Sequence, residues 1–228
     1  MTVKGLAAAA ALIALTLAFS VWGWLATPPG AEIAVHWNAA GQPDRYGGKA
    51  EAFLLIPGIA VLLSLLFAAA PHIDPRGRNL AASGPVLMTV WIGTVGVLAI
   101  VQAALTLTAL GLITADGEIV PRAVMLSVCA LMVLIGNALG KARPNWFVGV
   151  RTPWTLSSDR AWDATHRWAG RGFVLSGLIG AACTLLAPLM VAVFVFAGLI
   201  LATAAGSVAL SFLVWRRDPE RDVYSEDS

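Results

Sequence analysis

Gly172-Phe-Val-Leu-Ser-Gly-Leu-Ile-Gly-Ala-Ala-Cys-Thr-Leu-Leu-Ala-Pro188-Leu-Met-Val-Ala-Val-Phe-Val-Phe-Ala-Gly-Leu-Ile-Leu-Ala-Thr-Ala-Ala-Gly-Ser-Val-Ala-Leu-Ser-Phe-Leu-Val-Trp215 contains no charged residue. A helix needs ~20 apolar residues to cross a bilayer, so this stretch holds two crossings, and Pro188 is the natural place for the turn between them. Working back towards the N-terminus, four more apolar blocks run over Gly5–Ala26, Ala52–Ala70, Pro85–Ile113 and Pro121–Leu139. The fold class that follows is an all-α membrane protein, a bundle of six transmembrane helices. If the fifth crossing begins at Gly172 it is short, and a start near Trp168 is the alternative.

Composition supports the same class. Hydrophobic residues make up 58% of the 228 and charged residues 12%, too few to clothe a soluble domain of this size. The net charge of +2 and the lack of a basic domain argue against direct nucleic-acid binding. Lys4 before the first block resembles the start of a signal peptide. The uncharged run after it exceeds a signal core of about 7–15 residues, so it is expected to remain as a helix. Cys129 and Cys183 lie inside apolar blocks without metal-ligand spacing and read as packing residues.

Lys and Arg are distributed unevenly over the loops. With six crossings, one side carries Lys4, Arg76, Arg78, Lys141, Arg143, Arg151, Arg160, Arg167, Arg171, Arg216, Arg217 and Arg221, twelve of the 15. The other carries Arg45, Lys49 and Arg122. The positive-inside rule then predicts a multi-pass cell-membrane protein with both termini cytoplasmic. The chain divides into residues 1–71, two helices around an extracytoplasmic loop 27–49, and residues 72–228, four helices with a cytoplasmic loop 140–171 and a short polar tail 216–228.

Two polar segments are richer than connectors need to be. In the outer loop, Pro28, Pro29 and Gly30 stop the first helix, Glu32 to Trp37 look extended, and Gly41 to Gly48 are dense in turn residues. His36, Trp37, Asn38, Asp44, Arg45 and Tyr46 form either a lid anchored at the headgroups or a recognition surface. A lone histidine beside a tryptophan argues for packing rather than a metal.

In the inner loop, Pro144 to Pro153 cannot be helical yet holds several large apolar residues, so it must lie in the interface or be buried against helices. Gly136 and Gly140 form a small-xxx-small pair suited to close helix approach. After the loop, Ser157 or Ser158 can cap a helix with Asp159 in its first turn. Trp162, Thr165 and Trp168 recur at i, i+3, i+6, and Asp163–Arg167 is a favourable i,i+4 pair. The pattern predicts an amphipathic helix lying on the inner membrane surface, serving as an anchor or as a docking platform for a cytoplasmic partner.

The run Asn137-Ala-Leu-Gly140-Lys141-Ala-Arg143-Pro144-Asn145-Trp146-Phe-Val-Gly-Val-Arg151-Thr152-Pro153-Trp154-Thr-Leu-Ser-Ser-Asp159-Arg-Ala-Trp162-Asp-Ala-Thr-His166-Arg167 resembles the signature of the SdpI family of bacterial membrane proteins. Gly-Lys-x-Arg-Pro-Asn and Arg-Thr-Pro-Trp-Thr-Leu are its most telling parts. Val35 to Lys49 is similar to a small domain of unknown function that often precedes it. The resemblance implies a membrane immunity protein against a secreted antimicrobial peptide. It would meet the toxin through the outer loop and hold a transcriptional repressor through the inner one, without enzyme activity.

Two other readings stand beside it. A transporter or export component would draw on Gln102 and Asn137, although inter-helix hydrogen bonds explain these residues more simply. An interfacial enzyme would use Asp159, Asp163 and His166 at i, i+4, i+7, with His72 and Asp74 on the same side. No nucleophile pattern accompanies that set, and no cofactor or metal is expected. Membrane lipid is the one partner that composition itself implies.

Overall fold

A computed structural model describes residues 3–221. In chain order the elements are α1 (Val3–Ala26), β1 (Ile33–Trp37), β2 (Pro43–Gly47), α2 (Lys49–Ile73), α3 (Gly77–Ala82), α4 (Gly84–Ala109), α5 (Ile119–Leu139), α6 (Pro153–Leu156), α7 (Asp159–Leu186) and α8 (Leu189–Arg216). The six long helices α1, α2, α4, α5, α7 and α8 are each apolar and long enough to span a membrane. The protein is an all-α, multi-pass membrane bundle. The turn at Pro188 is present: α7 ends at Leu186 and Pro188 caps α8. Of the polar tail 216–228, residues 222–228 lie outside the described residues.

Helix α4 packs against α1, α2 and α5, while α5, α7 and α8 pack in series. Outward faces carry Leu62, Leu185, Phe194 and Leu201, more than half exposed, as lipid-facing surfaces should be. Four buried hydroxyls are satisfied within their own helices: Thr16, Ser176, Thr184 and Ser207 each donate to the carbonyl four residues back. Pro57 inside α2 has no N–H for the Phe53 carbonyl, and Ser20 of α1 donates to that oxygen instead. Gln102, fully buried on α4, donates to the Ala52 carbonyl at 3.3 Å and so ties α4 to α2.

Close approach of α5 and α7 depends on glycine. A Cβ on Gly136 would lie 2.5 Å from the Gly170 carbonyl oxygen, and one on Gly170 2.6 Å from that of Gly136. Gly140 takes a lesser part, since a Cβ there would meet Arg167 at an ordinary 3.6 Å.

Three expectations change. Pro43–Gly47, read as turn, is a strand paired antiparallel with β1, because the turn tightens to residues 38–42 and leaves Pro43 onwards to complete the ladder. The third apolar block ends as helix at Ala109, not Ile113. The amphipathic segment does not form a separate surface helix. It is the start of α7, whose 28 residues reach about 42 Å and exceed the ~30 Å hydrocarbon core. Its first turns can therefore stand beyond the core while still continuous with the crossing. Trp162 and Thr165 are fully buried against protein, and only Trp168 of that stripe is exposed.

Candidate functional site

The connections gather at two ends of the bundle. At one end lie the β-hairpin and the α4–α5 and α7–α8 turns. At the other lie the α2–α4 link, the α5–α7 link and the last turn of α8.

The hairpin is closed by Asn38, whose Oδ1 accepts from the Ala40 and Gln42 backbone N–H groups at 2.9 and 3.1 Å. Trp37 Nε1 donates to the Ala115 carbonyl at 2.9 Å and fastens the hairpin to the α4–α5 turn. Ile33 is buried with Ala52 and Phe53. This leaves His36, Asp44, Arg45 and Tyr46 on the surface, with His36 Nδ1 2.5 Å from Asp44 Oδ1 and Arg45 paired with Glu51. At the same end Arg122 pairs with Glu118 and donates to the Thr184 and Ala187 carbonyls, covering the open end of α7.

The α5–α7 link is irregular yet densely bonded. Asn145 is fully buried and uses its whole amide: Oδ1 accepts from Phe147 and Val148 N–H at 2.8 and 2.7 Å, and Nδ2 donates to the Arg143 and Val148 carbonyls at 2.7 and 3.1 Å. Gly149 follows at φ +124°, a conformation natural to glycine, and a Cβ there would collide with His166 Nε2. The next residue, Val150, donates its N–H to that nitrogen at 3.0 Å, while Nδ1 lies 2.8 Å from the Trp162 carbonyl. One contact needs an acceptor and the other a donor, so the arrangement selects the neutral Nδ1–H tautomer. The imidazole stacks on Trp162 with centroids 3.9 Å apart, and Trp162 Nε1 donates to the Ala142 carbonyl at 2.8 Å.

Other segments brace the link from outside. Asp74 Oδ2 accepts the Trp146 N–H at 2.9 Å, Asn79 Nδ2 donates to the Pro144 carbonyl at 2.9 Å, and Ser83 Oγ accepts the Arg143 N–H at 2.8 Å. From α8, Ser211 Oγ accepts from Thr152 at 3.0 Å, and Trp154 packs edge-on to Phe212. Thr152 and Thr155 form a reciprocal capping box for α6, and Ser158 both caps α7 and bonds Asp218.

The candidate residues thus divide by direction. Pro144, Asn145, Thr152, Trp162 and His166 face inward and hold the loop's shape, while Lys141, Arg143, Trp146, Arg151, Pro153, Asp159 and Arg167 are exposed. Asn137 and Gly140 line an open crevice between α5 and α7 with Arg167 and Arg171. Asp163 is exposed and lies 3.6 Å from Arg167, whereas His166 is buried. The trio with Asp159 therefore does not converge on a common point. Asp74, Asn79, Ser83, Ser211 and Asp218 carry no sequence pattern that assigns them to the loop, since their partners lie about 60–80 positions away.

Residues 141–211, which contain most of this loop together with α7 and much of α8, match the SdpI/YfhL protein family. Residues 11–61, which include the hairpin, match a domain of unknown function, DUF1648. Among curated relatives, the immunity protein SdpI of Bacillus subtilis (strain 168) is 35% identical over 54 residues, 24% of this chain. The match spans about a quarter (26%) of the length of that relative. No solved structure matches. The residues that match this family accordingly cover most of the braced link and the two helices that follow it.

Proposed function

We propose that the protein is a membrane immunity-type protein, not an enzyme, which protects the cell against a secreted antimicrobial peptide and uses its SdpI-family loop to hold a cytoplasmic partner. The observation that carries this reading is the division of the loop. Buried bonds from the α2–α4 link, α7 and α8 give it one shape, and Lys141 and Arg143 project from it. A surface organised before binding loses less entropy when a partner docks. A transcriptional repressor held by protein–protein contact is the partner that the family resemblance suggests. On this reading the braced end is cytoplasmic, as the excess of Lys and Arg there favours, and the hairpin end meets the peptide through His36, Asp44, Arg45 and Tyr46.

Expression in a peptide-sensitive bacterium tests the reading. Survival above the empty-vector control, lost on deletion of residues 33–47 from protein that still reaches the membrane, is the expected result. Killing unchanged by the full chain, across a panel of secreted peptides, rejects it. A C-terminal tag accessible only from the cytoplasm is expected; accessibility from outside would invert the assignment of the two ends. Gln102 tying α4 to α2 gives that residue a packing role and lends no support to a transport path through it.

A further inference from the structure

A second feature of the braced end is a cavity of about 510 Å³ beside the loop. Leu63, Leu66 and Phe67 of α2, Val90 of α4, Ile135 of α5 and Phe173 of α7 line it, and Phe147 to Val150 form its cover. The volume is within the ~300–1,000 Å³ of ligand pockets. Trp146 and Arg151 complete the lining at the loop, and both are exposed. Arg151 donates to the Trp146 carbonyl through one guanidinium nitrogen, which orients the cation and leaves other N–H groups to bind. The carboxylate closest in the network, Asp74, has its two oxygens engaged by the Arg76 and Trp146 backbone N–H groups.

We propose that this cavity is a binding site for an anionic phospholipid of the surrounding bilayer, with one acyl chain in the apolar crevice and the phosphate on Arg151. The crevice lies between spanning helices, where lipid is the abundant apolar molecule. A cation and an exposed tryptophan at one end match the headgroup layer. Lys141 and Arg143, exposed on the same link, add to the positive potential that favours an anionic headgroup over a zwitterionic one. The occupant would also cover Val148 and Val150 and so help to hold the loop described above.

The full chain, purified in a neutral detergent, is titrated with phosphatidylglycerol, phosphatidylcholine or inorganic phosphate while bound lipid is counted by native mass spectrometry. Phosphatidylglycerol is expected to bind more tightly than phosphatidylcholine, and R151Q to weaken it about five-fold, the value of one basic residue near a lipid surface. V90W, which fills the crevice, should reduce both lipids while leaving the protein folded by circular dichroism. R160Q, on α7 at the same end, serves as the electrostatic control and should leave the preference intact. Equal binding of both lipids, equal losses in R151Q and R160Q, or inorganic phosphate competing fully with lipid would each overturn the proposal. If V90W fails to fold, L66W replaces it with the same expected result.

Discussion

Val150 donates its backbone N–H to Nε2 of His166 across 3.0 Å, joining the irregular loop to the first turns of α7. The bond places Gly149 against the Nε2 edge of the imidazole, and Trp162 stacks on the face of the ring. Gly149, Trp162 and His166 thus serve the loop's shape.

Gly149→Ala should destabilise the protein by about 1–3 kcal/mol through backbone strain at φ +124°, with the collision against His166 in addition. Thermal unfolding in detergent measures the loss. The same substitution in a His166→Ala background should cost less, because the collision is gone and only the strain remains. Equal costs in the two backgrounds would mean that the imidazole does not set the Gly149 constraint.

Removing the Asp74 carboxylate should free the Trp146 amide without unfolding the bundle. In Asp74→Ala, hydrogen exchange at Trp146 is expected to quicken, while amides in the middle of α4 keep their protection. Exchange that stays slow at Trp146 would show that the loop stands without its brace from the α2–α4 link.

Arg122→Met should leave the Thr184 and Ala187 carbonyls at the end of α7 without their donor and leave Glu118 unpaired. A cost of about 1 kcal/mol follows from losing a part-buried charged donor. Glu118→Gln keeps the Arg122 contacts to both carbonyls and should cost less; the two melting curves decide.

Ser20→Ala should cost about 0.6 kcal/mol and no more than about 1.7, the average and the maximum measured for side-chain hydrogen bonds between membrane helices. The reason is local, since Pro57 leaves the Phe53 carbonyl without a helical donor. Pro57→Ala supplies that donor from residue 57, so Ser20→Ala should be nearly neutral in its presence. A double-mutant cycle between the two positions reads this coupling.

Much of the bundle was legible in the residues. Uncharged runs marked the six helices, Pro188 marked the turn between α7 and α8, and Pro144 to Pro153 excluded helix from the loop. Less was legible at the two polar segments. Pro43, Asp44 and Gly47 read locally as turn, yet a partner strand draws them into a ladder. The stripe of Trp162, Thr165 and Trp168 read as membrane-seeking, yet the first two are fully buried, and Trp162 packs on the loop that precedes it. A hydrophobic stripe does not distinguish a lipid surface from a protein one.

The sequence alone determined the membrane class, the number of crossings and the positions of the two elaborate connections, because a spanning helix satisfies its backbone internally and must be apolar over ~20 residues. Only the tertiary structure decided which loop residues face inward and which face out. That choice depends on Asp74, Asn79, Ser83 and Ser211, whose positions follow from how closely the helices approach, as Gly136 and Gly170 do where α5 meets α7. Hydrogen bonds spanning about 60 or more residues are set by helix placement, which local sequence does not encode.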